Sequence, residues 1–210
     1  NYPLLRAFNR MLEIDGPIDI SGQVLYQGRE VYSPRTNVYE VRRQIVTIPA
    51  VPQPLPGSVY DHVSIGLRLR GWTKQVAIAE QVEKALETVG LWEHLKPRLA
   101  KRAASLPSEI LPRLALATAI AAAPTHILWE EPGAELDPAE SDLLYNAIKR
   151  LSGEYTFVFA TDNPRLLARL SDVTVFMDQG RIIETGRTED ILERPRRPET
   201  EKYLTGQLDT

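Results

Sequence analysis

Thr125-His126-Ile127-Leu128-Trp129-Glu130-Glu131-Pro132-Gly133-Ala134-Glu135-Leu136-Asp137-Pro138 is the stretch on which the reading of this chain turns. The apolar run His126 to Trp129 is too short for a buried helix, and Pro132-Gly133 stops it sharply, so it reads as a buried parallel strand. Leu136-Asp137-Pro138 then opens a helix. Glu130 and Glu131 stand at the carboxyl end of the strand, where open α/β sheets place their ligands. The same residues also fit a solvated acidic turn after any core strand.

Downstream, Ala139 to Leu151 reads as a helix and Tyr155 to Ala160 as a second buried strand. Asn163 to Leu170 is helical. Val173 to Met177 is a strand, with Arg181 to Glu184 as its hairpin partner across Asp178-Gln179-Gly180. Upstream, Ile110 to Ala123 is an Ala/Leu-rich helix expected to pack on the sheet. From Ser58 to Ala104 the pattern is helical, with Val76 to Val89 strongly amphipathic and Leu91 to Leu95 following. Pro49, Pro52, Pro54 and Pro56 force an extended loop before it. Gln44 to Ile48 reads as a strand, and Gly22 to Tyr32 as two short strands around Gln27-Gly28. Leu4 to Leu12 has helical spacing, ended by Asp15-Gly16-Pro17. Strands alternating with helices predict an α/β fold with a parallel sheet. The expected division is a core of residues 1–57 and 105–210, with an antiparallel β part near Gln23 to Ile48, and a helical subdomain of residues 58–104 inserted in it.

With 210 residues, 43% hydrophobic and 25% charged, the chain can bury one good core. A net charge of −3 makes no electrostatic case for nucleic acid. No apolar run approaches the roughly 18 to 20 residues that span a bilayer, and no signal-peptide pattern opens the sequence. The absence of cysteine excludes disulfides and thiolate metal sites, and His62, His94 and His126 are scattered singly.

The quoted stretch resembles the Walker B and D-loop segment of ATP-binding-cassette (ABC) ATPases, usually four apolar residues followed by Asp-Glu-Pro-Thr-Ser-Ala-Leu-Asp-Pro. Other segments resemble, more narrowly, the ATP-binding subunit of bacterial phosphate importers. Leu4-Leu5-Arg6-Ala7-Phe8-Asn9-Arg10-Met11 is similar to that subfamily's Leu-Leu-Arg-x-Leu-Asn-Arg-Met. Pro54-Leu55-Pro56-Gly57-Ser58-Val59-Tyr60-Asp61-His62-Val63 is similar to its Pro-Phe-Pro-x-Ser-Ile-Tyr-Asp-Asn-Val, and Thr200 to Gly206 to its Thr-Glu-x-Tyr-Ile-x-Gly. The similarity runs from about Leu4 to Leu208. It implies an ABC-type nucleotide-binding domain: a P-loop-NTPase-like parallel core, a small antiparallel β part and a helical subdomain. It also implies ATP and Mg²⁺ as cofactors, with Glu130 at the magnesium-associated position, Glu131 at the general-base position and Asp137 in the D-loop. By the same resemblance the chain is a peripheral subunit on the cytoplasmic face of the membrane. There it would dock on transmembrane permease subunits through the Q-loop and helical region, as a homodimer or a heterodimer with another ABC ATPase.

The chain departs from that family where phosphates are held. Asn1, Tyr2 and Pro3 fall where the Walker A Lys and two hydroxyl residues belong, and no Gly-x-x-x-x-Gly-Lys-[Ser/Thr] is present. The signature Leu-Ser-Gly-Gly-Gln falls on Leu106-Pro107-Ser108-Glu109-Ile110, with Arg113 matching the arginine that follows it. Pro107 has neither hydroxyl nor N–H, and Glu109 brings negative charge toward a phosphate. An ordinary helix start, with Ser105 or Ser108 as N-cap and Pro112 early in the helix, accounts for the same residues. The Q-loop glutamine is Ala50, with Gln53 three residues late, and the switch histidine is Asp162, where Asp162 or Asn163 reads as a helix cap. A dimer's composite sites pair one chain's Walker A with the other's signature, so an intact partner would restore neither. The expectation is a degenerate subunit with weak or absent ATP hydrolysis, acting in assembly or regulation of a transporter. The alternatives are an active ATP-hydrolysing subunit with an unconventional site and a binding module detached from transport.

Overall fold

A computed structural model of the chain describes residues 2–206. By its internal contacts the chain divides into residues 2–160 and the residues from 161 onward, and each unit is taken by itself.

In the first unit, α1 (Tyr2–Phe8) is shorter than the Leu4 to Leu12 helix expected from spacing. Arg10 turns left-handed at φ 60°, and Met11–Ile14 follow as a separate 3-10 turn. Long-range bonds account for the break. The Asn9 amide donates to the Ile45 carbonyl at 3.1 Å and to Thr47 Oγ1 at 2.8 Å. The Arg42 guanidinium donates to the carbonyls of Asn9, at 3.3 Å, and Arg10, at 2.6 Å. The helix-end carbonyls thus find a cationic partner instead of another turn.

Next comes a hairpin of β1 (Leu25–Tyr26) and β2 (Arg29–Glu30). Both turn residues, Gln27 and Gly28, have positive φ (50° and 75°), the requirement of a type I′ turn. The antiparallel part expected near Gln23 to Ile48 is confined to this hairpin. Val38–Gln44 is instead a helix, α2, whose N-cap Asn37 accepts from the Tyr39 N–H at 3.0 Å. β3 (Ile45–Ile48) follows directly and joins the main sheet.

That sheet is parallel, in the order β3, β4 (His126–Glu130), β5 (Thr156–Ala160), with Ile48 opposite Trp129 and Glu130 opposite Ala160. Side chains alternate across it. Leu128 joins Leu5, Val31, Val41, Ile45 and Ala160 in one core cluster. Ile127 and Trp129, both fully buried, belong to the opposite face. Near-continuous apolar character is what a strand covered on both faces requires.

The segment between β3 and β4 contains α3 (Val59–Leu69), α4 (Gln75–Thr88), α5 (Trp92–Leu95) and α6 (Leu111–Ala121). α3 opens with a capping box: the Ser58 hydroxyl accepts from the Asp61 N–H, and the Asp61 carboxylate accepts from the Ser58 N–H. Both α3 and α4 pack against α6. Gly66 makes this possible, because a Cβ there would stand 2.6 Å from the Ala122 Cβ. α7 (Pro138–Leu151) links β4 to β5.

The second unit holds α8 (Pro164–Leu170), an antiparallel hairpin of β6 (Val173–Asp178) and β7 (Arg181–Arg187), α9 (Thr188–Glu193) and α10 (Pro198–Leu204). The hairpin turns through Gln179 and Gly180, again both at positive φ, and β7 runs further than the expected Arg181 to Glu184. Phe176 of β6 packs on Tyr203 of α10, ring centroids 5.1 Å apart. Among the described residues no helix is long and apolar enough to cross a membrane.

Candidate functional site

The central strand β4 delivers its carboxylates where the sequence placed them. Glu130 is the last strand residue and Glu131 the first beyond it, both half-buried. Glu131 sits in the left-handed region at φ 42°, a conformation that costs a non-glycine residue roughly 1 kcal/mol or more. Its N–H donates to the Ala160 carbonyl at 2.9 Å and its carbonyl accepts from the Ala134 N–H at 3.2 Å, so the backbone is held on both sides of the bend. Gly133 continues the turn at φ 75°. A Cβ there would come within 3.3 Å of Leu144 and 3.4 Å of Leu136. The buried Tyr145 hydroxyl donates to the Pro132 carbonyl at 3.3 Å, tying the turn to α7.

Asp137, read as a D-loop residue, is the N-cap of α7: its side chain accepts from the Glu140 N–H at 2.9 Å. Glu140 in turn accepts a 2.6 Å charge-assisted bond from Arg113 of α6, whose side chain is only 7% exposed. This ion pair joins the helix after the acidic turn to the helix after the signature-like segment. The sequence marks Arg113 but not its partner, which lies 27 residues away and carries no local sign.

The start of α6 is built differently. Pro107 is extended at φ −57°, ψ 144°, Ser108–Ile110 form a 3-10 turn, and the α-helix begins only at Leu111 with Pro112 in its first turn. Ser108 and Glu109 are exposed. Neither Ser105 nor Ser108 caps the helix: Ser105 Oγ donates to the Arg102 carbonyl at 2.7 Å, and no side chain caps α6. Pro112 explains why none is needed, since it removes one of the N–H groups a cap would serve.

Ala50 lies in the extended loop after β3. That loop is held by His62 of α3, whose Nδ1 accepts from the Leu55 N–H at 3.0 Å. Burial pushes the His62 imidazole below its ordinary pKa and keeps it a neutral acceptor. In the second unit, Asn163 is the cap of α8, its Oδ1 accepting from the N–H groups of Arg165 and Leu166. Asp162 is not the cap; its carbonyl accepts from the Tyr203 hydroxyl at 3.4 Å. Asn1, read at the Walker A lysine position, lies outside the described residues, as do Gln207 and Leu208 at the far end of the resemblance.

Sequence patterns alone did not foretell a groove of about 350 Å³ in the first unit. β3 (Thr47, Ile48), the loop (Pro52, Gln53), α3 (Ile65, Leu69) and α6 line it, with Arg43 and Arg70 at its edge. Its only sequence signal is the run of prolines that keeps the loop extended.

As for metal, the described residues contain no group of three or more His, Asp or Glu side chains able to hold an ion. Glu130 offers a hard oxygen donor of the kind Mg²⁺ takes, but Mg²⁺ bound by one or two carboxylates relies on water and substrate phosphates for its other ligands.

No family model matches the chain. Among curated proteins it is similar to the phosphate import ATP-binding protein PstB 1 of Streptococcus agalactiae serotype III, with 36% identity over 205 residues covering 98% of this chain and 81% of that protein. The protein of the same name from Enterococcus faecalis is 36% identical over 204 residues, covering 97% and 81%. Among solved structures it is similar in fold to cbiO1 from Clostridium perfringens, part of the ABC transporter complex cbiONQ. That match has a TM-score of 0.78 and 24% identity, over 92% of this chain and 75% of that one. A bacterial Atm1-family ABC exporter with ATP bound also matches, with a TM-score of 0.79 and 16% identity, over 100% of this chain and 35% of that one.

Proposed function

We propose, for a chain that belongs to the family of ABC-type phosphate import ATP-binding proteins, that it docks on transmembrane permease subunits at the cytoplasmic face while hydrolysing ATP weakly or not at all. The observation that carries the second half is the start of α6. The family holds a partner's γ-phosphate there with a serine hydroxyl and backbone N–H groups; this chain presents Pro107, without an N–H, and exposed Glu109, whose charge repels phosphate. Ala50 and Asp162 remove the side chains that would report on the metal and contact the γ-phosphate. Removing a single preorganised donor of this kind costs about 10²–10³ in rate, so joint loss leaves little turnover. Glu130 would be the ligand for Mg²⁺, and ATP with its metal would supply the phosphoryl chemistry when bound. Glu131 would orient and deprotonate the attacking water.

The first half is supported by the groove beside β3 and α3, an apolar depression in the segment where this family meets its membrane partners. The chain would then act in assembly or regulation of the transporter, as a homodimer or beside another ABC ATPase. A second reading, an active subunit with an unconventional site, is favoured by the strained Glu131 turn, since backbone strain held by a strand and a following turn is common at catalytic positions. Calorimetry of Mg²⁺-ATP with the native full-length protein separates the two. No heat at millimolar nucleotide is the expected outcome. Micromolar binding with turnover abolished by Glu131→Gln establishes the active reading.

A further inference from the structure

The edge of the groove carries more positive charge than the fold uses. Arg43 closes α2 and Arg70 follows α3, and each donates to the backbone of the other's segment. Arg43 bonds the Leu69 carbonyl at 3.1 Å and Arg70 the Arg43 carbonyl at 2.6 Å. The two guanidiniums are therefore drawn together, and among the described residues neither forms an ion pair with a carboxylate. Partial burial and the neighbouring Arg43 charge push Arg70 below its ordinary pKa, as a cation facing a like charge requires. Beside the pair the surface is apolar. Leu69 is 69% exposed and lines the groove, and Trp72, just beyond α3, is 41% exposed. Two unpaired cations beside open apolar surface are complementary to an amphipathic segment bearing one acid, and a planar guanidinium pair suits a carboxylate well.

We propose that the occupant of this groove is a short amphipathic helix of a permease subunit, and that a carboxylate on it pairs with Arg43 and Arg70 and sets which permease this chain accepts. This rests on the docking reading above and adds to it a charge code. Apolar side chains on one face of the helix fill the groove, the mode by which amphipathic helices bind grooves generally. The acid converts two repelling cations into a paired cluster, so its loss is felt more in selectivity than in area buried.

The chain contains no cysteine, so Gln53→Cys gives a single cross-linking handle inside the groove. The experiment uses the full chain co-expressed with the permease subunits that co-purify with it, cross-linking through the introduced thiol and mapping the captured segment. The expected result is a cytoplasmic helix containing Asp or Glu. Binding should fall about tenfold or more in the Arg43→Glu, Arg70→Glu double variant and return when the captured acid is changed to Arg. If the charge-reversed chain does not fold, the Arg43→Gln, Arg70→Gln variant serves, with loss of the salt dependence of binding as the readout. Capture of a segment without an acid overturns the proposal and leaves docking intact. So does wild-type affinity in the charge variants. Permease binding with no cross-link from the thiol at position 53 overturns the groove as the docking site, and no permease binding at all overturns the docking reading and the charge code with it. Octanoate serves as a small-anion probe: binding that the glutamine variants lose, with permease affinity unchanged, would make a free organic anion the occupant and overturn the proposal.

Discussion

The acidic turn after β4 and the start of α6 occupy two motif positions of one family, yet one keeps its residue types and the other has lost them. In the turn, the retained residues also hold the fold. Gly133 occupies a positive-φ position too tight for a Cβ, and Asp137 caps α7. At the start of α6, Pro107 and Glu109 make no side-chain bond the helix depends on, and Pro112 spares it a cap. The comparison teaches that a motif residue with a structural duty persists when the chemistry is relaxed, whereas one with only a phosphate to hold is free to change. Arg113, the retained residue of the second region, fits the same rule, because it is buried in an ion pair with Glu140.

The comparison can be broken by stability measurements, beginning with that ion pair. Glu140→Ala leaves the buried Arg113 guanidinium unpaired and is expected to cost about 3 kcal/mol in urea unfolding. Arg113→Met with Glu140→Leu should recover most of it. If the single substitution costs nothing, Arg113 was retained for another reason. Gly133→Ala forces a Cβ against Leu144 and Leu136 at positive φ, and should cost about 2 kcal/mol by the same assay. Asp137→Ala removes one cap, for about 1 kcal/mol. Ser108→Ala and Glu109→Gln should stay within about 0.5 kcal/mol of the parent, as exposed positions without bonds do. A large loss at either would show that the start of α6 has a structural duty after all.

A smaller effect concerns pH. Burial lowers the pKa of His62 and of His126 below the ordinary value of 6.5. In the unfolded chain both take up protons first as pH falls, so the folded state loses stability below about pH 6.5, down to the folded pKa values, and keeps it in full above. His62→Asn should flatten part of that slope in thermal midpoints measured between pH 7 and 5, and His126→Asn the rest.

Much of this architecture was legible because its signals are short. Four apolar residues before Pro132-Gly133 marked β4, Gln-Gly pairs marked both hairpin turns, and the Ser58–Asp61 box marked the start of α3. Each is a choice made within a few residues, by sterics and by local hydrogen bonds. The acidic pair, the D-loop aspartate and the family resemblance lay within reach of the same reasoning. Three readings failed where a distant group overruled a local pattern. The Leu4 to Leu12 helix stops because Arg42, 32 residues from Arg10, takes its terminal carbonyls. The antiparallel part ends at Glu30 because Asn37 caps a helix and Ile45 pairs with His126. The serine caps of α6 are absent because the helix begins later, at Leu111.

What the sequence determined alone was therefore the set of elements, the strand that carries the carboxylates and the family to which the chain belongs. Only the tertiary structure decided that Arg113 meets Glu140, that Gly66 lets α3 lie against Ala122, and that Arg43 and Arg70 stand together beside an apolar groove. Periodicity and turn chemistry act over one or two turns of chain. Charge pairing and close packing are settled between residues tens of positions apart, and no local pattern records which of many possible partners the fold brings within reach.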